Sequence, residues 1–285
     1  MPKQIYKYLA ILVALAWTLL PVCWLLRLAF MRVIDIFSFP PLVLPPDPSL
    51  ANFFNIVGFD YHFADGTVQT ASGQARQVLF ALKNSLIVSS VTTLLTLLVV
   101  VPLAYTFGRL EFRFKTPLLM AILLAVAVPP VSTLIPFYSL FTKIGLTGTH
   151  AGLILVTLTI TIPFVTWMLI GYFRNLPDVE KLAQVDGFGR VYTLVRIIVP
   201  MSASGISVAG VVAFLFAWNE FVFATVLVNG TDATTLPAAV SGFLFQQPEP
   251  GHMAAAICLT MAPAALILFF LQRHITEMNL VDPIR

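Results

Sequence analysis

The 285-residue chain is 59% hydrophobic and only 10% charged, with a mean hydropathy of +0.92, whereas soluble domains carry roughly 25% charged residues. Burying so much apolar surface in water would need a core larger than the chain. That excludes an ordinary soluble domain and leaves an all-α polytopic membrane protein. The net charge of +3 is small, and no nucleic-acid partner is expected. Cys23 and Cys258 lie inside apolar runs without a CxxC motif, so no disulfide framework is expected. The four histidines are scattered near segment ends without HExxH spacing, and no metal site is expected.

The first apolar run covers residues 8–31 and follows Lys3 and Lys7. It is longer than a signal-peptide h-region, and RLAFMRV after it lacks an A-x-A cleavage site, so it reads as an uncleaved first span. Residues 32–81 contain no spanning run. Their proline cluster, from Phe39 to Pro48, favours extended polyproline structure. The polar stretch 58–77 reads as an ordered or partly flexible loop.

A second span is expected over 82–107 and a third over 118–141, the latter carrying Pro129, Pro130 and Pro136. These prolines free backbone carbonyls, and a kink and a functional hinge are both open. A fourth span over 151–172 is expected to break at Pro163. The polar segment 174–200 follows, then a fifth span over 206–228 and a loop with Asp232, Pro237 and the QQPEPG turn at 246–251. A sixth span over 253–271 precedes a tail at 275–285. Five of the six spans thus fall within residues 82–274.

Six spans put both termini on one side. Eleven of the 16 Lys and Arg residues fall on that side, among them Lys3, Lys7, Arg109, Arg113 and Lys115, against five at or near the other. The positive-inside rule therefore makes both termini and segment 174–200 cytoplasmic.

That segment, around PDVEKLAQVDGFGRVYTLVRIIVP, holds a dense charge cluster in a charge-poor chain. Pro177 suits a first helical position, Asp178 and Glu180 suit the first turn, and Gly187 a stop. Val179, Leu182, Ala183 and Val185 form an apolar face, with Glu180, Lys181 and Gln184 elsewhere. Such a helix either lies on the lipid surface or docks a soluble partner.

The same residues resemble the EAA loop of ABC-importer permeases, in which Glu-Ala-Ala is followed by Asp-Gly and later by Ile-x-x-Pro. Ala183, Asp186, Gly187, Ile197 and Pro200 match at that spacing. Lys181 stands in place of the Glu of the triplet, Leu182 in place of its first Ala, and Ser204 in place of a second Pro. Glu180, one residue earlier, is the acidic group available nearby.

Glu220 is the one acidic residue inside a predicted span, and an intramembrane carboxylate is a functional candidate by default. A proton relay would need ionisable groups in neighbouring spans, and none is found. Trp218-Asn219-Glu220-Phe221 instead resembles a segment of carbohydrate-importer permeases of the smaller maltose-permease type. NSLIVSS from Asn84, PLAYTFGRLEF, the Pro129-Pro130 span and MAAAICLTMAP extend that resemblance from about Asn84 to His274. No G-x-x-x-x-G-K-[ST] loop is present, so ATP hydrolysis is expected on another subunit. No hydrolase-like Ser/His/Asp or paired-carboxylate arrangement occurs.

The resemblance implies the ABC-importer permease fold in a bacterial or archaeal inner membrane. It also implies a homologous permease partner, two ATPase subunits holding ATP and Mg, and an extracytoplasmic solute-binding protein, all set in membrane lipid. Val179, Leu182 and Ala183 would fill an apolar ATPase cleft, while Glu180, Lys181 and Asp186 pair at its rim and Gly187 turns the chain. Asn84, Pro129, Pro130, Trp218, Asn219 and Glu220 would line or gate the path. Disaccharides, oligosaccharides, glycosylated glycerols and glycerol 3-phosphate are all compatible solutes. A secondary transporter would need coupling-ion residues and internal repeats, which are not found. A membrane scaffold would need no solute path.

Overall fold

The computed structural model describes residues 2–277, so the tail expectation for 278–285 lies outside the described residues. Among the described residues, four helices are long and apolar enough to cross a membrane, or up to six if each of two bent helix pairs is one span. The chain divides into two compact units, Met1–Lys83 with Ala238–Pro263, and Asn84–Pro237 with Ala264–Arg285.

The first unit begins with α1 (Pro2–Phe30), whose apolar side chains from Ile5 to Leu20 are exposed all round. An evenly apolar, uncovered helix suits lipid. Two short helices, α2 (Val33–Ile36) and α3 (Ala51–Ile56), lead to an antiparallel hairpin of β1 (Tyr61–His62) and β2 (Val68–Gln69), with Tyr61 opposite Gln69. Stretch 58–77 is therefore ordered around this hairpin. Its turn is built by the Asp65 carboxylate, which accepts from the Thr67 backbone N–H and hydroxyl at 2.9 and 2.6 Å. These bonds, with Arg32 beside it at 2.9 Å, hold the Asp65 carboxyl down to about 2. Buried Asn52 and Asn55 tie this unit together: Asn55 Oδ1 meets Gln69 Nε2 at 2.8 Å and His252 Nε2 at 3.0 Å.

The second unit contains α4 (Gly73–Arg109) from Asn84 onward, then α5 (Lys115–Ala127), a 3-10 turn at Pro130–Thr133 and α6 (Leu134–Lys143). The expected third span, 118–141, is not a straight helix but a pair bent by 90°. Val128 and Pro129 each precede a proline, which forces them out of the α region, to ψ 120° and 129°. The predicted break at Pro163 is absent: α7 (His150–Arg174) runs through it unbroken, capped at its start by Thr149 Oγ1 accepting from Gly152 N–H at 3.1 Å. A helix in lipid tolerates proline when neighbours satisfy the freed groups.

The polar segment folds as α8 (Val179–Val185) and α9 (Arg190–Thr193), a π-helical turn at Leu194–Ile198, and α10 (Val199–Met201). Pro200 lacks an N–H and crowds the preceding turn, a common cause of such a bulge. After an 82° bend comes α11 (Ala203–Trp218). The expected continuous span 206–228 stops at Trp218, and a separate α12 (Val222–Leu227) follows. Residues 229–252, read as a loop, contain α13 (Leu236–Phe245), too short to span, before α14 (Pro250–Glu277).

The core of the second unit joins Val100, Ala104 and Phe107 of α4 to Val165, Leu169 and Phe173 of α7 and Ala209 and Ala213 of α11. Gly205, Ala209, Ala213 and Ala217, one helical turn apart, are all buried and let the backbones approach closely. Deep in this packing the Thr96 and Thr161 hydroxyls meet at 2.9 Å.

Candidate functional site

Two places gather the predicted residues: the turn around α8, and the break between α11 and α12.

At the first, Arg109 ends α4, a position where a basic side chain meets orphan helix carbonyls favourably. Gly108 beside it allows close approach, since a Cβ there would lie 3.2 Å from the Phe173 Cβ and 3.4 Å from the Ile170 carbonyl. The guanidinium reaches the end of α7, donating to the carbonyls of Leu176 and Pro177, each at 2.8 Å. It grips Glu180 bidentately, Nε to Oε1 at 2.6 Å and Nη2 to Oε2 at 2.7 Å, and contacts Asp178 at 3.0 Å. The Arg109 side chain is 6% exposed and that of Glu180 17%. Arg109's hydrogen bonds hold the Glu180 carboxyl below the usual carboxylate range.

Pro177 is not the first helical residue, because α8 starts at Val179. Asp178 sits at the N-cap, yet its side chain makes no cap hydrogen bond and turns to Arg109 instead. The C-terminus closes as a Schellman motif: Phe188 N–H donates to the Ala183 carbonyl at 2.8 Å and Gly187 N–H to Gln184 at 3.0 Å. Gly187 has φ +82°, as a left-handed C′ position requires.

The apolar face divides differently from the sequence expectation. Ala183 is buried within the chain and Val179 packs on the core, so neither is free to fill a partner's cleft. Glu180 is bound by Arg109 rather than standing at a rim. Leu182 and Val185 are 68% and 86% exposed and, with exposed Lys181 and Asp186, form the outward surface.

At the second place, α11 ends where Asn219 Nδ2 donates to the Leu215 carbonyl at 2.9 Å. Glu220 then accepts from the backbone N–H groups of Phe223 and Ala224 at 2.9 and 2.8 Å, capping α12. A groove of about 440 Å³ opens along this break, with Pro130, Thr157, Thr161, Phe216, Asn219 and Glu220 on its walls. Three predicted residues, Pro130, Asn219 and Glu220, thus meet in one cavity. Pro129 adjoins it in sequence. Trp218 is buried and stacks on Phe214 at 5.7 Å. Asn84 is elsewhere, its amide donating to the carbonyls of Asp232 and Thr234 at 2.9 and 2.8 Å, which makes it a structural clip.

In the sequence Arg109 is one of eleven basic charges on the expected cytoplasmic side, and Thr157 and Thr161 lie unmarked inside an apolar span. The available signal for Arg109 was its place after a glycine at a helix end. For the threonines it was the Thr157-x-Thr159-x-Thr161 spacing, in which 157 and 161 share one helix face.

Helices long and apolar enough to cross a membrane, with the short α8 set between two apolar segments, make a polytopic membrane architecture. The family model described as "binding-protein-dependent transport system inner membrane component" matches residues 100–277, and the chain belongs to that family. It is 28% identical over 274 residues to the sulfoquinovosyl glycerol transport system permease protein SmoH of Agrobacterium fabrum, covering 95% of this chain and 90% of the relative. It is 33% identical over 204 residues to the trehalose transport system permease protein SugB of Mycobacterium tuberculosis, covering 70% and 74%. A crystal structure of a bacterial ABC transporter that imports alginate contains a chain matched with a TM-score of 0.77 at 14% identity, over 95% of each chain. That likeness concerns the fold.

Proposed function

We propose that this chain is a transmembrane permease subunit of an ATP-driven importer for a sugar or sugar-like solute. The observation that carries this reading is the family match, which spans the α8 turn and the Glu220 groove together. The named relatives for sulfoquinovosyl glycerol and trehalose support a glycoside or di/oligosaccharide solute. Each bent helix pair counts as one of six spans, and both termini face the cytoplasm with α8.

In this reading α8 docks a separate ATPase, one of two copies, through Lys181, Leu182, Val185 and Asp186. A homologous permease completes the pathway, and an extracytoplasmic binding protein delivers the solute. ATP draws the ATPases together, the docked helices follow, and the spans rock between inward- and outward-open forms. The groove at Asn219 and Glu220 lies on the solute path.

The test is purification from gently solubilised membranes with and without Leu182→Asp, alongside uptake of a labelled sugar panel by intact cells. Recovery of a second permease and an ATPase, with the ATPase lost in Leu182→Asp, supports the assignment. Recovery of this chain alone under conditions that keep such complexes intact, with no sugar uptake, overturns it.

A further inference from the structure

We infer that Arg109 is a positioning residue that locks α8 to the ends of α4 and α7, so that the three move as one body. The inference rests on α8 being the ATPase-docking helix.

A helix of seven residues is not stable or stiff by itself. Its link to α7 is the short stretch Asn175–Asp178, and its N-cap side chain makes no bond to the helix. Intrinsic stiffness therefore does not carry motion from α8 to the spans. Buried Ala183 and half-buried Val179 supply apolar contact but little directional constraint.

Arg109 supplies the constraint. Its Nε–H and Nη2 bind both Glu180 oxygens, Nη2 also meets Pro177 and Asp178, and Nη1 meets Leu176 and, at 3.4 Å, Phe173. All five guanidinium donors are engaged by acceptors from the end of α7, the linker and α8. A planar five-donor fork fixes orientation as well as distance, which a lysine ammonium does not. Because the side chain is nearly buried, water does not replace these bonds at low cost.

The arrangement also separates two roles within α8. Both Glu180 oxygens face inward to Arg109, while Leu182 and Val185 face outward. Force applied at the outward residues enters α4 through Glu180 and Arg109, one helical turn from the docking surface. Loss of Arg109 leaves docking intact and makes the connection compliant.

The test uses the full complex with its ATPase, reconstituted in liposomes, carrying Arg109→Gln, Arg109→Lys or Glu180→Gln. Spin labels go at exposed Glu111 and at Gln184, which is exposed on α8 but outside its docking residues, in a background with Cys23→Ser and Cys258→Ala. The wild type should give one narrow label–label distance. Arg109→Gln and Arg109→Lys should broaden it, and lower the solute moved per ATP hydrolysed at least fivefold while the ATPase still co-purifies. An unchanged distance distribution, or a broadened one with an unchanged transport-to-ATP ratio, overturns the inference. Arg109→Lys and Glu180→Gln carry the test if Arg109→Gln does not accumulate. Leu182→Asp is the independent control: if it keeps its ATPase, the docking assignment fails, while the label distances still report whether Arg109 holds α8.

Discussion

The Glu220 carboxylate caps a helix: its Oε1 lies 2.9 Å from the backbone nitrogen of Phe223, two residues into α12. The second oxygen takes the next N–H, that of Ala224. The acid that looked most anomalous in the sequence thus has a structural partner for each oxygen and still borders the groove. Glu220→Ala removes both acceptors, and helix-cap losses are worth about 0.5–2 kcal/mol. Glu220→Gln keeps one acceptor and should lose less. Thermal unfolding of the detergent-solubilised protein measures both, and a Glu220→Ala protein as stable as the wild type would show that the cap contributes nothing.

Gly187 is the local counterpart. At φ +82° an L side chain is strained although nothing occupies the space where its Cβ would go. Gly187→Ala should therefore cost about 1–2 kcal/mol at the end of α8, Gly187→Asn less, and Gly187→Pro most, since proline is held near φ −65°. Amide exchange of residues 183–188 reads this directly. Protection should fall in the order Gly, Asn, Ala, Pro, and equal protection across the series would refute the Schellman closure.

Gly187 was legible because a turn residue and its helix lie side by side in the chain, and the apolar runs were legible from length alone. The pairing of Arg109 with Glu180 was not, because 71 residues separate them: Arg109 looked like ordinary cytoplasmic charge, and the resemblance turned Glu180 toward an outside partner. Helical periodicity placed Val179, Leu182 and Ala183 on one face. It did not say which flank of that face the protein's own core would take, and Ala183 went inward while Leu182 went outward. The prolines differ in effect: the break expected at Pro163 is absent from a continuous helix, whereas the kink expected at Pro129-Pro130 is a 90° bend, because each proline there also constrains the residue before it.

Close packing at the start of α11 makes a sharper prediction. A Cβ on Gly205 would fall 2.6 Å from the Tyr172 ring, whose hydroxyl is 3.0 Å from Ser204 Oγ. Gly205→Ala should destabilise the protein by about 1–3 kcal/mol through overpacking. Adding Tyr172→Leu should recover part of that loss, giving a coupling energy of at least about 0.5 kcal/mol in a double-mutant cycle. Strict additivity would mean that the ring moves aside freely.

The clasp around Glu180 predicts how stability depends on pH. Arg109's hydrogen bonds lower the Glu180 carboxyl below its ordinary value of 4.5. A carboxyl depressed in the folded state contributes stability that is complete above that ordinary value and is lost as pH falls through its lowered folded value. At pH 7, Arg109→Gln should cost about 3 kcal/mol by leaving a largely buried carboxylate unpaired. Below about pH 4.5 the wild type should lose its advantage progressively, while Glu180→Gln, with no carboxyl to titrate, changes less. Asp65 also sits low, at about 2, so the series belongs in an Asp65→Asn background, which removes that second acid transition. Melting temperatures taken from pH 7 to pH 3 decide the matter: a gap between wild type and Glu180→Gln that stays constant across the range would show that the ion pair adds no pH-dependent stability.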